Sequence, residues 1–266
     1  MNRIKKYIGI TNRYLYYVLK AGHRKGYGIH SPFIFEMVSN VLFDRSNYED
    51  YAFFSRIRDH LGKSGSRIEV KEMGAPSYRF NKPERSVKEL VRHSSVKHKY
   101  GKLLYRLVKY YKPSTIIEFG TSVGLSTVYL GKGNEQAQVS SVEGNSSLCD
   151  FARHILRENG ILNVSVLNRR FDDALDGLLK DLVDPVLVFI DGDHRYEPTM
   201  HYYNCFAAAI GEGIIVLDDI HWSEEMNKAW KRIIRDRNDQ ATLDLFSLGI
   251  VILKKQITPR HYIVRF

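Results

Sequence analysis

The chain has 266 residues, enough for one large domain or for a domain with an appendage. Hydrophobic residues make up 44% and charged residues 26%, a balance that excludes disordered and collagen-like chains. No apolar run approaches the roughly 20 residues needed to span a bilayer, and the N-terminus lacks a signal peptide's apolar core. The net charge of +10 is uneven: residues 1–114 hold 24 Lys and Arg against nine Asp and Glu, and the rest hold 16 against 21. A basic first part suits RNA, an anionic membrane surface or an acidic neighbour. The two cysteines, Cys149 and Cys205, fall in helix-like segments and are expected to stay reduced, which points to the cytoplasm.

In chain order, "IKKYIGITNRYLYYVLKAGHRKG" reads as a basic, aromatic helix that rests on the core or on a second copy in a homodimer, with a membrane surface or nucleic acid as the alternatives. "HSPFIFEMVSNVLF" starts a second helix, with Ser31 as cap and Pro32 in the first turn. "LGKSGSRIEVKEMGAPSYRFNKPERS" is loop, with only "RIEV" resembling a strand, and is expected to be a mobile or cofactor-ordered linker. From Thr115 short apolar runs alternate with helices. "STIIEFG", "AQVSSVEGN", "LNVSVLN", "PVLVFID" and "EGIIVLDD" are the strands, and the helix "FDDALDGLLKDL" is capped by Asp172 or Asp173. This alternation predicts a parallel, doubly wound α/β sheet. The end breaks the rhythm, because "ATLDLFSLGIVILKK" leaves no room for a helix and predicts an antiparallel hairpin.

In such sheets ligands bind beyond the carboxyl ends of the strands. After the first comes "EFGTSVG", Glu118 to Gly124, where Gly120 and Gly124 bare the backbone. After the second comes Glu143, a carboxylate able to accept both ribose hydroxyls of a nucleoside. Phe171 and Asp172 follow the third, an aromatic face and a polar edge for an adenine ring. Asp191, Asp193, His194, Arg195 and Glu197 follow the fourth; Asp218, Asp219 and His221 follow the fifth. Ser122 stands where a dinucleotide loop would carry its second glycine. A nucleoside without phosphates, such as S-adenosylmethionine, does not need that glycine.

"IIEFGTSVGLSTVYL", the acid in "VSSVEGN", "FIDGDHRYE" and the closing hairpin resemble a class I S-adenosylmethionine-dependent methyltransferase, and within it the catechol and caffeoyl-CoA type O-methyltransferases. The resemblance implies a Rossmann-like sheet of seven strands in the order 3-2-1-4-5-7-6, the last antiparallel. It implies a basic, helical extension and linker over residues 1–95 and the cofactor-binding domain over 96–266. Glu118, Gly120, Thr121, Ser122 and Gly124 would form the loop at the cofactor's methionine end, with Ser126 as a further contact. Glu143 would hold the ribose, Phe171 and Asp172 would bracket the adenine, and Asp193 would approach from the fourth strand. Asp191, Asp218 and Asp219 occupy the positions that hold Mg²⁺ or another divalent cation in metal-dependent relatives. His194 would be the base, where those relatives carry a lysine, with Asp191 beside it. Asp219 departs from their usual asparagine.

The implied reaction is O-methylation of a small-molecule acceptor. The competing readings are a nucleic-acid methyltransferase that uses the basic N-terminal part, a cofactor-binding protein without turnover, and, more distantly, a nicotinamide oxidoreductase. The fourth-strand segment lacks the Asn-Pro-Pro-aromatic type of sequence common in base-amine methylation.

Overall fold

The computed structural model describes residues 3–23, 26–70, 84–236 and 240–266, so residues 71–83 of the expected linker lie outside the described part. Helices α1 (Arg3–Lys20) and α2 (Pro32–Met37) come first, and α2 continues as a π-helical turn over Val38–Leu42. Ser31 holds the cap position and Pro32 the first turn, but the Ser31 side chain makes no capping hydrogen bond. Next come α3 (Asp50–Lys63), β1 (Arg67–Glu69), β2 (Glu84–Ser86), α4 (Val87–His93) and α5 (His98–Tyr111). Alternation then sets in: β3 (Thr115–Phe119), α6 (Leu125–Gly133), β4 (Gln138–Glu143), α7 (Ser146–Glu158), β5 (Val164–Asn168) and α8 (Phe171–Lys180). It continues with β6 (Val186–Ile190), α9 (Tyr196–Ala209), β7 (Gly213–Asp218) and α10 (Glu224–Arg235), then β8 (Gln240–Asp244), β9 (Leu248–Leu253) and β10 (Arg260–Ile263).

The chain divides into two units, residues 45–186 and residues 1–44 with 187–266. In the first, β4 lies between β3 and β5, all parallel, with Ile117 opposite Ser140 and Ser141 opposite Val166. Every residue of β3 is buried, as expected of a strand covered on both faces. Helices α5 and α6 cross closely because Gly101 has no side chain. A Cβ there would stand 2.6 Å from Cζ of Tyr129 and closer still to Cε2. That ring is fully buried, packs 4.2 Å from the Phe54 ring and holds His98 Nδ1 at 2.7 Å, so it cannot step aside. Gly101→Ala is therefore expected to destabilise the protein by about 1–3 kcal/mol, although alanine improves helix propensity by roughly 1 kcal/mol. A denaturation midpoint equal to or above that of the parent would refute the packing argument.

In the second unit the strand order is β6-β7-β9-β8-β10. The antiparallel hairpin forms as expected, with Ala241 opposite Ile252, and β9 pairs antiparallel with β7, Ile215 opposite Val251. β10 is an addition: it runs parallel to β8, with Tyr262 opposite Leu243. The described residues thus carry eight strands in these orders where seven were expected, while the order 3-2-1 in one unit and 4-5-7-6 in the other holds. The architecture is a Rossmann-like α/β fold. One boundary differs from expectation. α8 begins at Phe171 with Arg170 at the cap, so Asp172 and Asp173 lie in its first turn, where their charge favours the helix dipole.

Candidate active site

In the unit of residues 45–186 the turn after β3 is held from behind. Glu118 is fully buried and accepts hydrogen bonds from the hydroxyls of Thr127 and Ser141, each at 2.5 Å. The Ser141 hydroxyl also meets Thr121 Oγ1 at 2.5 Å. Glu118, Thr121 and Ser126 are all buried, so their side chains shape the loop from inside rather than line its open side. Gly120 (φ 105°), Ser122 (φ 50°) and Gly124 (φ 81°) take left-handed backbone. Gly124 caps α6 there, and a Cβ would press on Ala152 Cβ of α7 at 3.3 Å.

Glu143 ties this loop to the next. Its Oε2 accepts from Ser122 N–H at 3.0 Å and its Oε1 from Asn145 N–H at 3.0 Å. Burial raises the proton affinity of this carboxyl, and the N–H groups of Asn145, Ser122 and Gly144 offset only part of that, leaving its pKa above the ordinary value. Asn168 fixes the backbone beneath it, donating to the carbonyls of Glu143 and Gly144 at 3.0 and 3.1 Å. Phe171 stacks flat on Phe119, rings 4.6 Å apart and 8° from parallel, which fixes the plane of its half-exposed ring. Asp172 beside it is exposed. Ser141, Thr127 and Asn145 were not singled out in the sequence. Their one signal was a pair of serines inside an otherwise apolar strand and an Asn-Ser-Ser helix start.

The unit of residues 1–44 and 187–266 holds the other acidic residues. Asp191, at the end of β6, lies 3.5 Å from His194 Nε2 through its Oδ1. Burial disfavours a charged His194, but the Asp191 bond and the charges of Asp219, Asp191 and Asp193 outweigh it and raise its pKa. Burial also drives Asp218 well above the ordinary carboxylate range, reinforced by the charges of Asp191 and Asp219 and by a hydrogen bond with Asp191. Asp193 is engaged by Arg195, whose Nε and Nη2 donate to its two oxygens at 2.5 and 2.6 Å.

The expected cation set is not assembled. Among the described residues, no three His, Cys, Asp or Glu side chains are grouped to hold a metal ion. Asp218 is hydrogen-bonded to Asp191, and Asp219 sits on left-handed backbone at φ 55°. Among the described residues neither Cys149 nor Cys205 forms a disulfide.

Beyond Asp219 the loop is anchored by a network the sequence did not announce. His221 Nε2 donates to Asp244 Oδ2 at 2.7 Å, its Nδ1 lies 3.0 Å from Asn227 Oδ1, and its ring stacks on Phe246. Asp244 also accepts from Trp230 Nε1 at 3.0 Å and from Phe246 N–H at 2.8 Å. Helix α1 docks on the same place. Arg13 Nε donates to the His221 carbonyl at 3.0 Å, the Tyr17 hydroxyl donates to the Val264 carbonyl at 2.6 Å, and the Tyr14 and Tyr17 rings flank Phe246. No helix among the described residues is long and apolar enough to cross a membrane.

Comparison with known proteins fits this geometry. Residues 117–220 match the family described as a methyltransferase domain. An uncharacterized protein, R132 of Acanthamoeba polyphaga mimivirus, is 28% identical over 135 residues, which is 46% of this chain and 60% of that protein; the match thus spans less than two thirds of the relative. Among solved structures, cofactor-bound Rv0187 from MTB superposes with a TM-score of 0.56 at 17% identity, over 84% of this chain and 97% of that one. An O-methyltransferase from Bacillus cereus in complex with SAH gives 0.54 at 16% identity, over 84% and 97%. SAH-bound PaMTH1 from Podospora anserina gives 0.53 at 15%, over 79% and 98%. At such identities the likeness establishes the fold. Residues 117–220 thus match a methyltransferase domain, and the chain shares the Rossmann-like fold of these solved structures.

Proposed function

We propose that the protein transfers a methyl group from S-adenosylmethionine to an oxygen of a small-molecule acceptor, with the cofactor-binding residues inside 96–266. One observation carries the reading: the Glu143 carboxylate is hydrogen-bonded to Ser122 N–H, which joins the acid after β4 to the glycine loop after β3. That is the juxtaposition a nucleoside with an amino-acid tail requires. Gly120, Ser122 and Gly124 offer backbone to the tail, Glu143 accepts the ribose hydroxyls, and the Phe171 ring, with Asp172 at its edge, takes the adenine face. The bound cofactor supplies an electrophilic methyl group on a sulfonium.

His194 is the base of this proposal. Asp191 holds its imidazole and favours the charged form that results when it takes the acceptor's hydroxyl proton. A divalent cation on Asp191, Asp218 and Asp219 is the finer version of the reading. These side chains do not offer a three-donor set, so no step is derived through it. Asp193 is the further cofactor contact of the reading, and its carboxylate is paired with Arg195.

The test is titration calorimetry of the purified chain with S-adenosylmethionine and S-adenosylhomocysteine, followed by transfer of a labelled methyl group to hydroxylated small molecules and, in parallel, to RNA. One-to-one binding of both forms and label on a small hydroxyl compound are expected. Absence of heat with either form defeats the assignment, and label found only in RNA replaces the acceptor class.

A further inference from the structure

Helix α1 has two apolar faces, and the docking described above uses only one. Tyr17 is buried on the inner face, where Arg13 is also bonded, and the Lys6 ammonium lies 4.1 Å over the Trp222 ring. Ile8, Leu15 and Leu19 recur seven and four residues apart, so they fall on one stripe of the opposite side. Ile8 and Leu15 are each 54% exposed, Tyr16 beside them 60% and Leu19 83%. Four large side chains presented together on one helix are a patch, not scattered exposure. Lys5 and Lys20 are exposed at its two ends, and the sequence carries no Asp or Glu before Glu36.

We propose that the outer face of α1 lies on an anionic lipid bilayer, with Ile8, Leu15 and Leu19 entering the boundary between headgroups and acyl chains. Tyr16 then sits at headgroup level, where an apolar ring with a polar tip is favoured. The lysines meet lipid phosphates, which gives the helix the pairing of apolar stripe and basic rim that interfacial helices use. Charge decides between occupants. A second copy packed face to face about a two-fold axis would bring Lys5 of one helix toward Lys20 of the other, with no acid on α1 to separate them. Nucleic acid would satisfy the lysines and could stack on Tyr16, but it leaves the three aliphatic side chains in water. Of these three occupants, the anionic bilayer satisfies both sets. The inference concerns residues outside the cofactor loop and stands independently of the catalytic reading.

The test is co-sedimentation of the full chain with vesicles of phosphatidylcholine alone and of phosphatidylcholine with about one third phosphatidylserine. Binding is expected to be at least about tenfold stronger to the anionic vesicles and to weaken with salt. Leu15→Ser with Leu19→Ser should lower it by about tenfold or more while leaving the melting temperature and S-adenosylhomocysteine binding of the same preparation unchanged. Lys5→Glu with Lys20→Glu should abolish the preference for phosphatidylserine. No binding to anionic vesicles, or binding indifferent to the leucine pair, overturns the proposal. So does a concentration-dependent dimer that the leucine pair dissociates, or salt-sensitive RNA binding that survives it in place of vesicle binding.

Discussion

Glu143→Ala is expected to weaken S-adenosylhomocysteine binding by about 100-fold, and Glu143→Gln by about tenfold, in titration calorimetry. Hydrogen bonds to a charged acceptor contribute roughly 1.5–3 kcal/mol each, and the ribose would offer two. The alanine variant also releases Ser122 and Asn145 N–H from the carboxylate, so the glycine loop loses its tie to the end of β4. Glutamine keeps the shape and one acceptor oxygen, which separates the effect of charge from that of loop position. Stability should not follow affinity. The folded pKa of Glu143 lies above its ordinary value, chiefly through burial, so its ionisation disfavours the folded state as pH rises through the ordinary carboxylate range. At neutral pH Glu143→Gln gains from losing that charge but turns its NH2 toward one of the two N–H donors, so it is expected to melt close to the parent while binding less. A glutamine variant that melts several degrees lower with affinity intact would make Glu143 a structural residue.

Asp244→Ala should cost about 3–5 kcal/mol of stability, because it strips the acceptor from three buried or half-buried donors. The indole of the fully buried Trp230, the Phe246 N–H and His221 Nε2 would all lose their partner. For a chain of this size that corresponds to a melting temperature lower by roughly 10 °C. The pH dependence follows from the direction of the Asp244 shift. Burial pushes its carboxyl up, but the His221, Phe246 and Trp230 bonds and the His221 charge outweigh it, and the folded pKa ends below the ordinary 3.8. Its contribution is then fully present above the ordinary value and lost as pH falls through the folded one. The gap between parent and variant should hold at neutral pH and close only in acid below about pH 4. A gap already closed at pH 6 would show that the network draws on some other group.

The sheet was legible because its signal is repetitive. Five β-branched runs, four of them ending in glycine or acid, are separated by helix-length segments, and too few residues lie between the last two runs for a crossover. β10 escaped because Arg260–Ile263 alternates charged and aromatic residues and becomes a strand only through its register on β8. For the candidate site the sequence speaks where a residue type has one strong use at a strand end, as with Gly124 and Glu143. At Glu118 an acid at a strand end suggests a ligand contact, and the fold adds what the sequence does not carry, that Thr127 and Ser141 donate to it. The grouping of Asp191, Asp218 and Asp219 is likewise a matter of the fold. Three acids at strand ends do not reveal that two of them hydrogen-bond each other.

The unit to which α1 belongs is completed only by residues 187–266. Tyr17 must find Val264, 247 residues later. At ribosomal speeds of about 5–20 residues per second that separation is a wait on the order of 10–50 s. The contiguous stretch 45–186 can gather its own core in the meantime. A nascent chain therefore presents its basic, two-sided amphipathic helix to the surrounding cell before the seat for that helix has been made.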